Sequence, residues 1–197
     1  MFTIGQALHW FDDIDGAVST VNSVLREDSY FDVFAYTIPK IHDGSDWKSK
    51  MADEMKTKGF DVIDGTTPDY QFTKDQDVHR QLKEAYEEMW AKIYKHFRFD
   101  RSVIENFYQT FNFEKNAKVL RKVIWFDTAP NKSINAVIGY LESISAYRCY
   151  LEDHKIERGS ENDPLEIVKK KFAELGNPDV DFVTPYFAYA LAKKDIE

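Results

Sequence analysis

The stretch TIGQALHWFDD at positions 3–13 contains the first residues in the chain whose types are suited to ligand binding. A short apolar run leads into Gln6, His9, Trp10 and Phe11, which offer an amide, an imidazole and two aromatic faces. In open α/β sheets, ligands bind in the crevice beyond the carboxyl ends of the strands. An apolar run that ends in these side chains therefore predicts the rim of a binding crevice.

The familiar catalytic patterns are absent from the sequence. It contains no HExxH, CxxC, GxSxG or Walker motif, and its five histidines have no metal-ligand spacing, so no metal site is expected. The one cysteine, Cys149, lies in an apolar helical run, which predicts a buried thiol without a catalytic role. No GxG sequence occurs, so this chain does not itself supply the Gly-rich turn at which backbone N–H groups approach a nucleotide.

The composition predicts one acidic domain that spans residues 1–197. The net charge of −8 provides no basic surface, so neither nucleic acid nor a membrane is expected as a partner. The N-terminus does not resemble a signal peptide and no run of 18 apolar residues occurs, which predicts a cytoplasmic protein. Aromatic residues make up 15% of the chain, enough for a core or for an apolar ligand pocket, and composition does not choose between them.

The elements that would position the first stretch follow it closely. Residues 2–8 are predicted to form a short buried strand, and Asp12 or Asp13 can cap the amphipathic helix that comes next. The aromatic and β-branched run at 30–36 predicts a second strand, and strand, helix and strand together form a βαβ unit typical of parallel sheets. Residues 37–76 lack periodicity and predict an excursion without sheet.

The rest of the chain alternates helices and strands. Helices are predicted over 78–97, 101–110, 133–148 and 164–174, and strands over 119–127 and 180–192. Ser133 is expected to cap its helix, and Pro185 inside the last strand favours an edge position or a bulge. With four strands and about five helices, the sequence predicts an α/β fold.

Five short stretches carry a resemblance to a known family. QALHWFD is followed by VLR and FAY, then by GYLESISAYRCYLED at 139–153 and by VDFVTPYFAYALAKK at 180–194. In this order they resemble class I S-adenosylmethionine-dependent methyltransferases, in particular the branch that includes trans-aconitate methyltransferase. There a QALHWFD-like phrase ends the fourth strand and a WGY-like phrase ends the fifth. The resemblance covers nearly the whole chain and is weakest over 42–76.

The resemblance implies the C-terminal portion of a Rossmann-like methyltransferase sheet with a helical cap. The first three strands of the family, with the Gly-rich cofactor loop, would lie upstream of residue 1. This chain would supply the fourth, fifth, seventh and sixth strands, and residues 37–118 would form a cap or lid insertion. The strand at 2–8 would then be an apolar edge, open to a second copy or to a partner chain.

The sequence departs from the family at two places. The turn before the fifth strand is Gly-rich in the family, whereas here it is Arg26–Ser29. A Trp-Ser pair in the family's later helix appears as Ile144 and Ser145, so one aromatic wall of the pocket is expected to be missing.

The resemblance implies S-adenosylmethionine-dependent methyl transfer to a small-molecule acceptor such as a carboxylate. The implied roles are catalytic for His9 and Trp10, cofactor-binding for Gln6 and Phe11, and substrate-binding for Tyr36, Trp90, Tyr140 and Tyr147. Plain packing roles stay open as alternatives, with Trp10 and Phe11 against the following helix and with Trp90 and Tyr140 in the core. A second hypothesis is a catalytically inactive remnant that serves as an interaction or oligomerisation module through the strand at 2–8.

Overall fold

A mixed six-stranded sheet runs through the computed structural model, which describes residues 2–63 and 70–194. The strands are β1 (Phe2–Gly5), β2 (Tyr30–Tyr36), β3 (Lys40–Ile41), β4 (Asp61–Val62), β5 (Lys118–Lys132) and β6 (Val180–Ala192). The predicted α/β class is confirmed. The two strands beyond the predicted four are β3 and β4, so the expectation that 37–76 contain no sheet is wrong. Each has only two residues, too few to show an alternating pattern.

The strand order across the sheet is β1-β2-β6-β5-β4, with β3 paired to β6. β1 and β2 are parallel, whereas β6 runs antiparallel to both β2 and β5. This is the order expected from the resemblance for a fourth, fifth, seventh and sixth strand. β1 lies at the edge of the described sheet and pairs with β2 alone.

Pro185 lies on the central strand β6, so the prediction of an edge strand is wrong. β2 ends at Tyr36 and β3 begins at Lys40, and Pro185 faces the gap between them. The Thr37 N–H donates to the Pro185 carbonyl across this gap at 3.0 Å. Because the N–H and C=O of one strand residue point to the same side, the missing donor of Pro185 also faces the gap and interrupts no ladder.

Seven α-helices surround the sheet in the described residues. They are α1 (Ile14–Val24), α2 (Trp47–Thr57), α3 (Gln76–Ile93), α4 (Ser102–Glu105), α5 (Ile134–Glu142), α6 (Ser145–His154) and α7 (Leu165–Glu174). Two predicted caps are confirmed, since the side chain of Asp13 accepts from the Gly16 N–H and that of Ser133 from the Ala136 N–H.

Two predicted helices have different bounds in the structure. The helix predicted over 133–148 is split into α5 and α6, because Ile144 between them is extended, with φ −81° and ψ 129°. The helix predicted over 101–110 is limited to α4. Phe107 and Tyr108 have positive φ angles of 56° and 55°, which do not fit a right-handed helix.

Two hydrophobic clusters form the core. The first lies where α1, α2 and the segment after α4 pack on the sheet, and it includes Phe31 and Phe187. The second joins α3, α5, α6 and α7 around the start of β6, and it includes Met89 and Leu141. That 37–118 act as a lid stays a prediction. None of the described helices is both long and apolar enough to cross a membrane.

We expect Phe187→Ala to lower the free energy of unfolding by about 3–5 kcal/mol, since it leaves a cavity in the middle of the sheet. Phe187 is fully buried, with ring centroids 5.3 Å from Phe107 and 5.1 Å from Tyr108. Urea unfolding followed by circular dichroism measures the change. Leu120→Ala is the control, because Leu120 is 53% exposed and should change stability by about 0.5 kcal/mol or less. Equal effects of the two substitutions would contradict this packing.

Candidate functional site

A cavity of about 270 Å³ opens at the carboxyl ends of β1 and β2. Six of the predicted site residues line it, namely Gln6, His9, Trp10, Tyr36, Trp90 and Tyr140. The lining also includes Ile144 and Ser145, where the resemblance places a pocket wall, and residues that the sequence did not single out: Ile38, Phe97, Phe99, Arg101 and Ser143. The predicted rim and the helical residues expected above it therefore meet in one place.

Gln6 shapes the rim through its side-chain amide. It follows β1 with a positive φ of 48°. Its amide donates to the Tyr36 carbonyl at 3.2 Å and accepts from the Tyr36 N–H at 3.4 Å, which continues the pairing of β1 and β2 beyond the last strand residue. Before it, Gly5 lies under the ring of Phe34, where a Cβ would collide with the ring. The amide of Gln6 is thus engaged in holding the rim.

His9 lies in a single 3₁₀ turn, Leu8–Trp10, directly after the rim. Its Nδ1 is 2.9 Å from the phenol oxygen of Tyr108, and its ring centroid is 4.5 Å from that of Phe99. Burial first and the Arg101 charge second lower the pKa of His9 from 6.5 to about 4. The imidazole is therefore neutral at neutral pH.

Tyr108 is fully buried beneath His9. Burial raises the pKa of Tyr108 to about 12, against the opposing effects of the His9 backbone N–H and the Arg101 charge. Its left-handed backbone, shared with Phe107, turns the chain after α4 and brings the phenol to the site. Sequence reasoning missed Tyr108, because its partner is 99 positions away and no local pattern links the two.

Arg101 lies directly before α4, and its side chain is 11% exposed. Its Nε donates to the Glu105 carboxylate at 3.0 Å and its Nη2 to the Tyr36 carbonyl at 3.4 Å. The guanidinium carbon lies 5.4 Å from the centre of the Phe97 ring. Since a guanidinium has five N–H donors, two bonds leave others for a ligand in the cavity. No motif in the sequence pointed to this residue.

Glu105 balances the charge of Arg101 at the cavity. Burial raises the pKa of Glu105, whereas Arg101 opposes this rise. The same carboxylate oxygen accepts from the Ile38 N–H at 3.2 Å, which fixes the chain between β2 and β3. The pair therefore joins α4 to the end of β2.

The aromatic walls of the cavity differ in exposure. Trp90 is only 7% exposed and stacks on Phe97 with ring centroids 6.3 Å apart, so it belongs to the core as well as to the cavity. Trp10 is 57% exposed at the opening, with its ring centroid 4.4 Å from that of Phe99. Burial raises the pKa of Tyr140, so this wall stays an uncharged phenol.

Two predicted site residues lie outside the cavity lining. Phe11 is 49% exposed beyond the 3₁₀ turn. Tyr147 is buried and donates to the Asp163 carboxylate at 2.8 Å, which ties α6 to the start of α7. In one continuous helix Tyr140 and Tyr147, seven positions apart, would share a face. The break at Ile144 separates them.

The described residues do not by themselves fit a whole S-adenosylmethionine molecule. The cavity is smaller than the roughly 300–1,000 Å³ typical of ligand pockets, and the amide of Gln6 is already bonded to Tyr36. The chain also has no Gly-rich turn that could bring backbone N–H groups to the ligand. No group of three metal-ligating side chains occurs over 2–63 and 70–194.

A larger cavity of about 530 Å³ lies beside α6 and α7. Its lining mixes charges of both signs, such as Lys155 and Glu157, and it contains none of the predicted site residues. The smaller cavity has convergent polar groups, aromatic walls and a histidine with a perturbed pKa. These features make the smaller cavity the candidate site.

No family model matches the sequence, and no curated protein matches it. The chain is similar to a solved structure from Anaeromyxobacter dehalogenans that carries the provisional name of a type II methyltransferase. The TM-score is 0.53 at 19% sequence identity, over 98% of this chain and 63% of that one. The likeness shows a shared fold, and this chain spans less than two thirds of the length of that protein.

We expect Arg101→Gln to raise the pKa of His9 above 4, because a positive charge that disfavours imidazolium is removed. The pKa should stay below 6.5, since burial is the larger cause and persists. An NMR titration of the His9 ring protons measures it. Arg98→Gln is the matched control, as the exposed Arg98 pairs with Asp153 outside the cavity. An unchanged pKa in Arg101→Gln would contradict the geometry.

Proposed function

We propose that this chain carries the acceptor-binding side of an S-adenosylmethionine-dependent methyltransferase that acts on a small molecule. The observation that carries the proposal is the cavity at the carboxyl ends of β1 and β2, where His9, Trp10, Tyr36 and Tyr140 meet. Ligands of open α/β sheets bind at this end of the strands. The fold shared with a protein named as a methyltransferase supports the same activity.

S-adenosylmethionine supplies an electrophilic methyl group on a sulfonium, and the acceptor attacks it without a covalent intermediate on the protein. The part of the protein in such a reaction is to orient the acceptor and to exclude water. The aromatic walls formed by Trp10, Trp90 and Tyr140 exclude water from one side of the acceptor. The residues of the rim, His9 and Gln6, mark the side that faces the donor.

We propose a carboxylate as the acceptor group. Arg101 is a nearly buried cation in the cavity, and its remaining N–H donors match a carboxylate. The neutral His9 adds no second positive charge. Trp90 and Tyr140 provide an apolar wall for the body of the same molecule.

The donor side of the site requires residues beyond those described, since the cavity does not fit the whole cofactor. We expect the purified chain to bind S-adenosylmethionine more weakly than micromolar in a calorimetric titration. Tight binding, at micromolar affinity or better, would contradict the need for further residues.

We expect the double substitution His9→Ala with Trp10→Ala to abolish methyl transfer to small carboxylic acids. The reason is that both side chains line the cavity where donor and acceptor would meet. Transfer of a labelled methyl group at millimolar S-adenosylmethionine measures the effect. Val24→Ala is the control, because Val24 is 61% exposed on α1, away from the cavity. Retained transfer in the double variant would refute the placement of the site at these residues.

We also propose that β1 pairs with a second copy of the chain. β1 is an edge strand without a charged residue, so antiparallel pairing with another β1 brings no like charges together. Phe2 and Phe34 lie beside this edge and are 46% and 38% exposed. Such an edge is equally compatible with an active enzyme, so it does not favour the inactive remnant.

Light scattering of the purified chain tests the pairing. We expect a dimer at micromolar concentration, and we expect Thr3→Pro to shift it to monomer because proline removes a donor from β1. Val24→Lys is the control, because Val24 is another exposed apolar position and lysine, unlike proline, does not disturb α1. A wild-type monomer would contradict the pairing.

A further inference from the structure

The hydrogen bond between His9 and Tyr108 connects the cavity with the first core cluster. The His9 Nδ1 and the Tyr108 phenol oxygen are 2.9 Å apart, and the phenol is fully buried. Tyr108 is absent from the cavity lining, whereas His9 belongs to it. Tyr108 therefore acts on a ligand only through His9.

We propose that Tyr108 is a positioning residue that holds His9 as the tautomer with hydrogen on Nε2. His9 then donates a hydrogen bond to the ligand in the cavity and does not serve as a general base. The tautomer follows from the geometry alone, and its meaning for methyl transfer rests on the proposed function.

The direction of the hydrogen bond follows from the protons that the phenol and the imidazole carry. The phenol of Tyr108 has one proton, and no acceptor for it other than His9 is found among residues 2–63 and 70–194. If Nδ1 carried a hydrogen and donated it, the phenol proton would be buried without a partner, at a cost of about 1–3 kcal/mol. The phenol is also the stronger acid and the imidazole nitrogen the better acceptor, so Tyr108 donates to Nδ1.

The protonation states of the two groups agree with this direction. At neutral pH both groups are uncharged, since the pKa of His9 is lowered to about 4 and that of Tyr108 is raised to about 12.

Nε2 is the polar ring atom of His9 that is left for the cavity. With Nδ1 occupied by Tyr108, a neutral imidazole must carry its hydrogen on Nε2 and can only donate there. Arg101 is the charged group that acts on His9, and the carboxylate nearest to that guanidinium, Glu105, is already bonded to it. Two donors, the Nε2–H of His9 and the guanidinium of Arg101, therefore meet at this end of the cavity.

This pair of donors favours one chemical state of the acceptor. An alcohol must lose a proton as its oxygen is methylated, and that proton needs a base. A neutral amine becomes a cation when it is methylated, which the nearby Arg101 charge disfavours. An oxygen that is already deprotonated at neutral pH needs no base, and it accepts from both Nε2–H and the guanidinium. The inference predicts that the methylated atom reaches the site as an anion, without proton transfer to His9.

The test is a ¹⁵N NMR measurement of the tautomer of His9 in the wild-type chain, in which the protonated and the bare ring nitrogen have different shifts. We expect the protonated-nitrogen shift at Nε2 and the bare-nitrogen shift at Nδ1. In Tyr108→Phe we expect a larger fraction of the Nδ1–H form, because the donor to Nδ1 is removed. Tyr147→Phe is the matched control, since it removes another buried phenol that bonds to Asp163 outside the cavity.

A wild-type spectrum with hydrogen on Nδ1 would overturn the inference, and so would an unchanged tautomer in folded Tyr108→Phe. If Tyr108→Phe does not fold, the wild-type spectrum alone still decides. A second readout compares two variants of His9 in methyl transfer. His9→Gln keeps a donor but is no base, so it should retain at least tenfold more transfer than His9→Ala. Equal loss in both would overturn the role as donor.

The NMR result does not depend on turnover. The Nε2–H tautomer without binding of benzoate at the cavity would leave the positioning by Tyr108 intact and would refute the proposed acceptor site. Methyl transfer with the Nδ1–H tautomer would support the proposed function and refute this inference.

Discussion

The carbonyl of Tyr36 is the point on which the arrangement of the cavity depends. It accepts hydrogen bonds from the Gln6 amide at 3.2 Å and from the Arg101 guanidinium at 3.4 Å. A partly buried backbone carbonyl at the end of a strand has no ladder partner, so side chains must satisfy it. By doing so, Gln6 fixes the end of β1 and Arg101 fixes α4 against the same strand. The rim and the cation of the cavity are thus oriented by one backbone atom.

The second constraint is the left-handed turn at Phe107 and Tyr108. Residues other than glycine seldom adopt positive φ angles, and here two adjacent residues do so. The turn ends α4 early and directs the Tyr108 phenol toward His9 through the core. Strained backbone of this kind is often found where a side chain must be held in one position. In this fold that side chain is hydrogen-bonded to His9 in the cavity lining.

The sequence predicted the elements whose signals are local. α1 and β2 follow from apolar periodicity and from the Asp13 cap, and the order of β1 and β2 in the sheet agrees with the resemblance. The buried strand predicted over 2–8 is wrong in length and burial, since β1 ends at Gly5 and is largely exposed at the edge of the sheet. The signals that failed were those that depend on distant partners. Pro185 would require an edge strand only if its missing N–H faced a neighbouring strand, and the sequence does not show which way it faces. The helix break at Ile144, which removes Tyr147 from the cavity, is not preceded directly by a glycine or a proline.

The polar half of the site was beyond prediction for the same reason. Arg101 and Tyr108 belong to a stretch that was predicted to be one helix. Nothing in that stretch indicates contact with residues 6–36. Their roles arise from contacts over 65 and 99 positions along the chain. Aromatic residues at the ends of strands were a better guide, since their placement at the carboxyl edge follows from chain direction alone.

We infer that the cavity between the ends of β1 and β2 and helices α3 and α5 binds a small anionic acceptor. NMR chemical-shift mapping with benzoate, and with neutral benzamide of the same shape, tests it most directly. We expect benzoate to shift the resonances of His9, Trp90 and Tyr140, benzamide to shift them far less, and Arg101→Gln to remove the difference. Shifts centred instead on the larger cavity near Lys155, or equal effects of the two compounds, would contradict it.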